Sequence, residues 1–213
     1  MIAIIDYGLG NLRSIRNMLS RIGVESLITS EAAELATADR VILPGVGSFD
    51  AGMKGLHQSG MLSTLEERVI GEKVPILGIC LGAQLLTQRS EEGEMEGLGW
   101  VEAETVRFDE DRLPASLAIP HMGWGDVFFE RRDSIVSDYR TPDPRFYFVH
   151  SYHIQTFTRS IVLATATHGV EFTAAVCKEN IVGAQFHPEK SHRFGMEFLR
   201  CFSEFNGAES PKH

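Results

Sequence analysis

Gly78-Ile79-Cys80-Leu81-Gly82 is the stretch of this sequence that decides the fold, because it joins an apolar strand to a helix through one cysteine. The segment Pro75–Ile79 is predicted as a buried strand of a parallel sheet, and Leu81–Gln88 as the helix that follows. Gly78 and Gly82 leave room for a tight turn and a close approach of the backbone. The pattern parallels the turn on which many hydrolases expose a nucleophilic serine.

Cys80 is thereby predicted at the carboxyl end of a parallel strand, where ligand crevices form. A cysteine attacks as a thiolate, and the amino end of a helix favours negative charge. The alternative interpretation is a small buried core residue, which is the usual fate of an intracellular cysteine. The two glycines and the change from strand to helix favour the nucleophile. Cys177 and Cys201 lack such surroundings and are predicted to be core residues.

A second segment, Gln185-Phe186-His187-Pro188-Glu189, supplies a matching base. Pro188 biases the backbone of His187 toward an extended conformation, in which residues i and i+2 point to the same side. Glu189 can then fix the tautomer of the imidazole and stabilise its cationic form. Cys80, His187 and Glu189 together form a candidate nucleophilic triad. Taken alone, the segment also fits a surface turn without a catalytic role.

Two glycine-containing loops near the start of the chain differ in the function that they predict. In Pro44-Gly45-Val46-Gly47 the glycines allow backbone N–H groups to turn toward the same point as the N–H of Leu81, as an oxyanion would require. This loop lacks the Lys-Ser/Thr ending of a phosphate-binding loop. Gly8-Leu9-Gly10-Asn11-Leu12-Arg13 lacks the third glycine of a dinucleotide fingerprint and is weak evidence for dinucleotide binding. His121 and His150 stand in distinctive segments, and both a structural and a functional role stay open for them.

Over residues 1–90, strands and helices alternate, which predicts a parallel sheet covered on both faces. Later segments predict a mixed or antiparallel half: Val101–Phe108, Ser116–Pro120, Gly125–Phe129, Phe146–Ile154, Ile161–Thr167, Glu171–Lys178 and Ile181–Phe186. A final helix is predicted over Ser191–Asn206 and a flexible tail over 208–213. The expected fold is a three-layer α/β/α, flavodoxin-like domain that spans residues 1–207.

Composition narrows the class of protein further. A formal net charge of −9 argues against nucleic acid and anionic membrane as partners, because phosphate binding needs a basic surface. The sequence shows neither a signal peptide nor an apolar stretch long enough to span a bilayer. The three cysteines lack the number and spacing of a disulfide framework or a zinc site. We therefore expect a cytoplasmic protein that uses no metal.

Ordered motifs along almost the whole chain resemble the class I, or triad, glutamine amidotransferases, and within that family the glutaminase subunits of imidazole glycerol phosphate synthase. The motifs are Asp6 to Asn11, Leu43 to Phe49, Gly78 to Leu86, Pro120 to Trp124, Tyr147 to Tyr152 and Gln185 to Ser191. The resemblance implies hydrolysis of L-glutamine to glutamate and ammonia without a cofactor. Cys80 would attack the amide, His187 would transfer protons, and Glu189 would orient His187.

The resemblance also implies roles for residues outside the triad. Gly47 and Leu81 would supply the oxyanion hole, while Gln84, Glu92, Ser151 and Tyr152 would bind glutamine. The ammonia would pass to a (β/α)8-barrel cyclase subunit in a heterodimer, which forms imidazole glycerol phosphate and aminoimidazole carboxamide ribotide in histidine biosynthesis. Trp124, Tyr147 and Lys190 would lie near that interface.

Two departures from the histidine-pathway pattern leave the acceptor open. Gly125 stands where Asn usually follows the Pro-His-Met-Gly-Trp motif, and the segment Lys190 to Gly195 is similar to paralogues that feed ammonia to surface-sugar amidation. The alternatives are therefore a glutaminase for sugar amidation, or an amidotransferase-like subunit kept for assembly without catalysis. A related cysteine hydrolase that acts on peptides or glutamyl conjugates is a further one.

Overall fold

The computed structural model describes residues 1–131 and 134–207, and the predicted tail, 208–213, lies outside this part of the chain. Within it the strands are β1 (Ile2–Ile5), β2 (Ser26–Thr29), β3 (Arg40–Gly45), β4 (Ile76–Cys80), β5 (Ala103–Arg107), β6 (His121–Phe129), β7 (Arg145–His150), β8 (Tyr152–Thr156), β9 (Val162–His168), β10 (Val170–Lys178) and β11 (Ile181–Ala184). The α-helices are α1 (Leu12–Arg21), α2 (Ala32–Leu35), α3 (Phe49–Gln58), α4 (Leu62–Glu66), α5 (Leu81–Leu85) and α6 (His192–Glu204).

These strands form one eleven-stranded sheet whose main path runs β2-β1-β3-β4-β11-β10-β9-β6-β7. The neighbours from β2 to β11 pair in parallel, whereas β10, β9, β6 and β7 pair antiparallel with their neighbours. β5 and β8 form an antiparallel pair that joins the sheet through β10. The predicted change from a parallel half to an antiparallel half is confirmed.

Two hydrophobic cores lie on opposite faces of the sheet, and β1 feeds both of them. Ile2 and Ile4 pack into the core that α1 and α6 cover, whereas Ala3 and Ile5 pack into the core that contains α3 and α5. Parallel strands covered on both faces are apolar at every position, and β1, β4 and β11 are buried throughout. The predicted three-layer α/β/α fold is confirmed. In the described residues, we find no helix whose length and apolarity would let it span a bilayer.

Some predicted elements were wrong in the antiparallel half. Ser116–Pro120 is irregular rather than a strand. Pro114 lies just before the segment and Pro120 ends it, and proline donates no ladder hydrogen bond. The predicted strand Phe146–Ile154 is broken at Ser151, because β7 pairs with β6 while β8 pairs with β5. At the break, the Ser151 carbonyl accepts a hydrogen bond from the Phe108 N–H at 3.1 Å, just beyond the end of β5.

Helix ends also differ from the prediction. The helix after Cys80 stops at Leu85 instead of Gln88, because the Gln88 N–H bonds the Ala103 carbonyl of β5 and leaves the helical path. The predicted helix Leu62–Gly71 changes to a π-helical turn over Glu67–Gly71. The four-residue helix α2 has too little apolar periodicity to be predicted.

The turn after β4 depends on a very close approach of β3. A Cβ atom added to Gly82 would overlap the carbonyl oxygen of Leu43, and one added to Gly78 would lie 2.6 Å from the Gly82 oxygen. Both contacts are with backbone, which cannot rotate away as a side chain can. The two glycines are therefore required by the geometry of this turn.

We expect Gly82→Ala to lower the free energy of unfolding by at least about 3 kcal/mol, since β3 and β4 would have to separate. Urea denaturation followed by circular dichroism measures this loss. Gly71→Ala is the matched control, because a Cβ there has no heavy atom within 4 Å. The control should change stability by less than about 1 kcal/mol. Equal stability of the two variants would contradict the steric argument.

Candidate active site

The carboxyl ends of neighbouring parallel strands meet at one edge of the sheet. β4 ends at Cys80 and lies between β3, which ends at Gly45, and β11, which ends one residue before Gln185. Because these strands run in the same direction, Cys80, the loop after β3 and the segment around His187 reach the same edge. The sheet order thus joins the two distant motifs of the sequence.

Cys80 occupies a strained backbone conformation. Its φ of 54° and ψ of −110° lie in a region that side-chain-bearing residues rarely adopt. Such strain persists only where the surroundings hold it, and it concentrates at functional sites. The conformation turns the side chain out of the sheet at the junction of β4 and α5, where the residue is 7% exposed. Cys80 is therefore presented on an elbow of the predicted kind.

His187 and Glu189 form a buried pair. The Nδ1 atom of His187 lies 2.8 Å from Oε1 of Glu189, and their side chains are 1% and 2% exposed. The backbone of His187 is extended, as the following proline predicts, with φ −101° and ψ 94°. Its N–H donates to the Tyr147 carbonyl at 2.9 Å, and its own carbonyl accepts from the Ser191 hydroxyl at 2.6 Å. The backbone of His187 is thus fixed by two hydrogen bonds, and its ring by Glu189.

The charge state of His187 follows from its neighbours. Burial lowers its pKa, but hydrogen bonding and charge from Cys80 and from Glu189 outweigh burial and raise the pKa to about 9. Because Nδ1 faces Glu189, the atom left to face the Cys80 sulfur is Nε2, which is buried. The three side chains that the sequence joined into a triad therefore lie together, with the imidazole between the sulfur and the carboxylate.

A cavity of about 230 Å³ opens beside Cys80. All six residues that the resemblance assigns to the oxyanion hole and to glutamine binding line it: Gly47, Leu81, Gln84, Glu92, Ser151 and Tyr152. A larger cavity, of about 760 Å³, lies along β5, β8 and β10 and contains none of the predicted site residues. The smaller cavity is thus the candidate substrate site because it contains the nucleophile.

Two cavity residues are held in defined orientations. Glu92 accepts a hydrogen bond from the backbone N–H of Phe49 at 2.8 Å. Both amide hydrogens of Gln84 are engaged inside the protein, by the Tyr152 carbonyl at 3.0 Å and by Gln185 Oε1 at 3.1 Å. Only the carbonyl oxygen of the Gln84 side chain is then left to contact a ligand.

The loop after β3 is anchored at one end. The hydroxyl of Tyr7 donates to the Pro44 carbonyl at 2.6 Å, whereas Gly47 has a φ of 115° that suits glycine. Burial, and then the charge of Cys80, raises the pKa of Tyr7, so its hydroxyl stays a donor. The sequence analysis missed Tyr7, although the motif Asp6 to Asn11 contains it.

His121 and His150 make a buried polar contact that runs toward the cavity. His121 Nδ1 lies 3.2 Å from His150 Nε2, and His150 Nδ1 lies 2.8 Å from the Tyr152 carbonyl. Burial, with a smaller effect from His168, lowers the pKa of His121 to about 4, and burial also holds the pKa of His150 well below its usual value. Both rings are therefore neutral. Among the described residues, no group of three or more His, Cys, Asp or Glu side chains is placed so that it could hold a metal ion.

The residues expected at a partner interface also lie together, on the surface next to His187. Trp124 and Tyr147 are paired across β6 and β7, with ring centroids 6.3 Å apart. The Lys190 ammonium lies 5.6 Å from the centroid of the Tyr147 ring, and His192 stacks on Trp124. Trp124 is 39% exposed and Met122, on the same face of β6, is 62% exposed.

Comparison with known proteins agrees with this site. The family model for glutamine amidotransferase class-I matches residues 3–203. The imidazole glycerol phosphate synthase subunit HisH 2 of Methanococcus maripaludis is 49% identical over 95% of this chain and 98% of its own. The subunit of the same name from Pseudomonas aeruginosa is 44% identical, over 96% and 99%. The HisH subunit of Bdellovibrio bacteriovorus is 45% identical, over 96% and 100%.

Solved structures share the fold at lower identity. A glutamine amidotransferase crystal structure has a TM-score of 0.74 at 20% identity, over 96% of this chain and 98% of that one. The structure of PurLQS from Thermotoga maritima has a TM-score of 0.70 at 16% identity, over 95% and 97%. On the family match and the sequence relatives, this chain belongs to the class I glutamine amidotransferases and, within them, to the HisH subunits of imidazole glycerol phosphate synthase.

Proposed function

We propose that this chain hydrolyses L-glutamine to L-glutamate and ammonia, as the glutaminase subunit of imidazole glycerol phosphate synthase. The observation that carries the proposal is the convergence of Cys80, His187 and Glu189 beside a cavity that Cys80 lines. Relatives named HisH, 41–49% identical over nearly the whole chain, support the histidine pathway. The cysteine pattern of the sequence supports a cytoplasmic location.

In the proposed reaction, the Cys80 thiolate adds to the side-chain carbonyl carbon of glutamine. The backbone N–H groups of Leu81 and Gly47 stabilise the oxyanion. His187 gives its Nε2 proton to the amide nitrogen, the C–N bond breaks, and ammonia leaves a glutamyl thioester. Water then attacks the thioester and loses a proton to His187, so that glutamate and the thiolate are regenerated. Glu189 orients the ring throughout and stabilises the imidazolium before the first proton transfer and after the second.

The cavity suits the polar end of glutamine. The carboxylate of Glu92 can receive an ammonium group, since only one of its oxygens has the Phe49 N–H as a partner. Gln84 offers its carbonyl oxygen, and Ser151 and Tyr152 also line the cavity. A volume of about 230 Å³ is small and fits a single amino acid better than a peptide. This size argues against the hydrolysis of peptides.

We further propose that Trp124, Tyr147 and Lys190 contact the (β/α)8-barrel cyclase subunit. The exposed Trp124 and Met122, with the half-buried Tyr147 beside Trp124, form the kind of aromatic and apolar patch that is typical of an interface core. This surface is adjacent to His187, because the backbone N–H of His187 donates a hydrogen bond to the Tyr147 carbonyl. Ammonia released at Cys80 would therefore need only a short path to the partner.

Ammonia supply to surface-sugar amidation is the second candidate function, and the interface carries the observations that favour it. A Cβ at Gly125 would lie 3.1 Å from the Phe148 ring, so the Asn of the usual histidine-pathway pattern would need that ring to move. His192, from the segment that resembles the sugar paralogues, stacks on Trp124. Both departures lie at the proposed contact with the partner and leave the triad intact.

The raised pKa of His187 predicts how stability depends on pH. A group whose pKa rises on folding stabilises fully below its unfolded value of about 6.5, and this stabilisation disappears as pH rises through about 9. We expect a histidine NMR titration to place the His187 midpoint near 9. In Glu189→Gln the midpoint should fall, and stability should decline less between about pH 6.5 and pH 9.

Glu204→Gln is the matched control for that titration, because Glu204 is exposed and pairs with Arg200 at the end of α6. It should leave the His187 midpoint unchanged. A midpoint near or below 6.5 in the wild-type protein would contradict the ion pair.

Removal of the nucleophile tests the proposed reaction directly. Cys80→Ala should reduce glutamate release from glutamine by at least about 10³-fold, measured with the cyclase subunit and its ligand present. Cys201→Ala is the control, because Cys201 lies in the core away from the cavity, and it should retain most activity. Normal turnover by Cys80→Ala would refute the assignment, whereas inactivity of the wild-type chain with every synthase would favour an assembly subunit.

The acceptor is tested in parallel with two purified synthases, one from histidine formation and one from sugar amidation. We expect the cyclase of histidine biosynthesis to raise glutamine consumption, and the sugar synthase to leave it unchanged. The reverse result would transfer the chain to the second candidate function without changing the chemistry at Cys80.

The interface is tested by Trp124→Ala. Loss of a central aromatic contact should weaken cyclase binding by about 2 kcal/mol, or roughly thirty-fold in Kd, by isothermal titration calorimetry. Phe157→Ala is the control, because Phe157 is 54% exposed but lies beyond the end of β8. Equal affinity of both variants for the cyclase would remove Trp124 from the interface.

A further inference from the structure

A continuous set of hydrogen bonds connects the Tyr152 carbonyl to the sulfur of Cys80. Gln84 Nε2 donates to this carbonyl at 3.0 Å and to Gln185 Oε1 at 3.1 Å. Gln185 Nε2 in turn donates to the Cys80 sulfur at 3.8 Å, within range for a hydrogen bond to sulfur. Gln185 is completely buried, so water does not compete for these contacts.

The direction of every bond in this set is fixed by chemistry. A backbone carbonyl can only accept, so Gln84 must turn its NH2 group toward Tyr152. The second hydrogen of that NH2 group then requires an acceptor, and Gln185 must present its oxygen to Gln84. The NH2 group of Gln185 is thereby directed at Cys80, and the opposite orientation would place two donors and two acceptors against each other.

The Tyr152 carbonyl is itself held in place. His150 Nδ1 lies 2.8 Å from it, so a neutral His150 must carry its proton on Nδ1 and accept from His121 at Nε2. The carbonyl then uses both of its lone pairs, one for His150 and one for Gln84. The backbone N–H of Gln185 is also engaged, by the Ala174 carbonyl of β10 at 2.9 Å. Gln185 is therefore anchored at its backbone and at its side-chain oxygen.

We propose that Gln185 is a further catalytic residue, whose side-chain N–H donates to the Cys80 sulfur and stabilises the thiolate. The helix α5 has only five residues, so its amino end is a limited source of such stabilisation. A hydrogen bond to a charged, buried group is stronger than one between neutral groups. The inference rests on the proposed function only in taking Cys80 as the nucleophile.

Two titratable groups interact electrostatically with Cys80, His187 across the site and Tyr7 from the loop after β1. Neither is changed by a substitution at Gln185. Gln185→Glu keeps an oxygen for Gln84 but turns a second oxygen, instead of an N–H, toward the sulfur. Gln185→Met keeps the length of the side chain and removes both polar groups without adding charge.

The test measures alkylation of Cys80 by iodoacetamide as a function of pH, followed by mass spectrometry of the Cys80 peptide. At neutral pH we expect both variants to react about ten-fold more slowly than the wild type, because the thiolate loses a charge-assisted hydrogen bond. At alkaline pH, where every variant is ionised, the rates should agree within about two-fold. Gln88→Glu is the control, since Gln88 is exposed and gains the same charge.

Each outcome decides the proposal. Unchanged alkylation at neutral pH in folded Gln185→Met overturns it, and so does an equal loss of rate at both pH values, which would indicate a merely structural role. If Gln185→Glu does not fold, as judged by circular dichroism, Gln185→Met decides alone. The proposed function can fail separately. If the Gln185 variants show the expected slower alkylation, but the wild-type chain consumes no glutamine with any synthase, the proposed function is refuted and this inference stands.

Discussion

The close approach of β3 to the turn after β4 is the constraint on which the rest of the structure depends. The Leu43 carbonyl lies where a side chain at position 82 would begin, and the Gly82 carbonyl lies 2.6 Å from a Cβ placed at position 78, so both positions require glycine. Between these two glycines, at the end of β4, Cys80 has a φ of 54°. A side chain at either glycine would push the backbone of this turn apart, and the strained conformation of Cys80 depends on that backbone being held. The strained backbone of Cys80 and the close packing of β3 against the turn after β4 therefore depend on each other.

The electrostatics of the site follow from burying three ionisable groups together. A buried carboxylate costs several kcal/mol unless it is paired, and Glu189 is paired through Nδ1 of His187. Hydrogen bonding and charge from Cys80 also raise the pKa of His187. One oxygen of Glu189 remains without a hydrogen-bond partner in the described residues. An incompletely satisfied buried network is typical of a site that moves protons.

The sequence predicted the parts of this molecule that local patterns determine. The apolar runs of β1, β4 and β11, and the glycines around Cys80, were sufficient for the parallel half and the elbow. The break at Ser151 and the irregular segment Ser116–Pro120 depend on which strands pair in the antiparallel half, and one sequence does not specify that pairing.

The same limit applies within the site. His187 and Glu189 are two residues apart, so an argument from backbone direction could join them. Gln185 and Tyr7 act through contacts with residues that are distant in the chain, Cys80 and Pro44. The sequence around Gln185 and Tyr7 does not reveal these hydrogen bonds, because the order of the strands in the sheet decides which residues lie next to them. Motif membership, which both residues have, was the only available signal.

The broken strand between β7 and β8 gives the proposed interface a direct connection to the chemistry. Tyr147 contributes its ring to the exposed surface with Trp124, and its carbonyl accepts the His187 N–H. Farther along the same strand, His150 and Ser151 reach the cavity. A displacement of β7 at the surface must therefore change the position of the base or of the cavity wall, because no flexible linker separates them. The exposed surface around Trp124 and the two chemical groups of the site, the base and the cavity wall, therefore share one stretch of backbone.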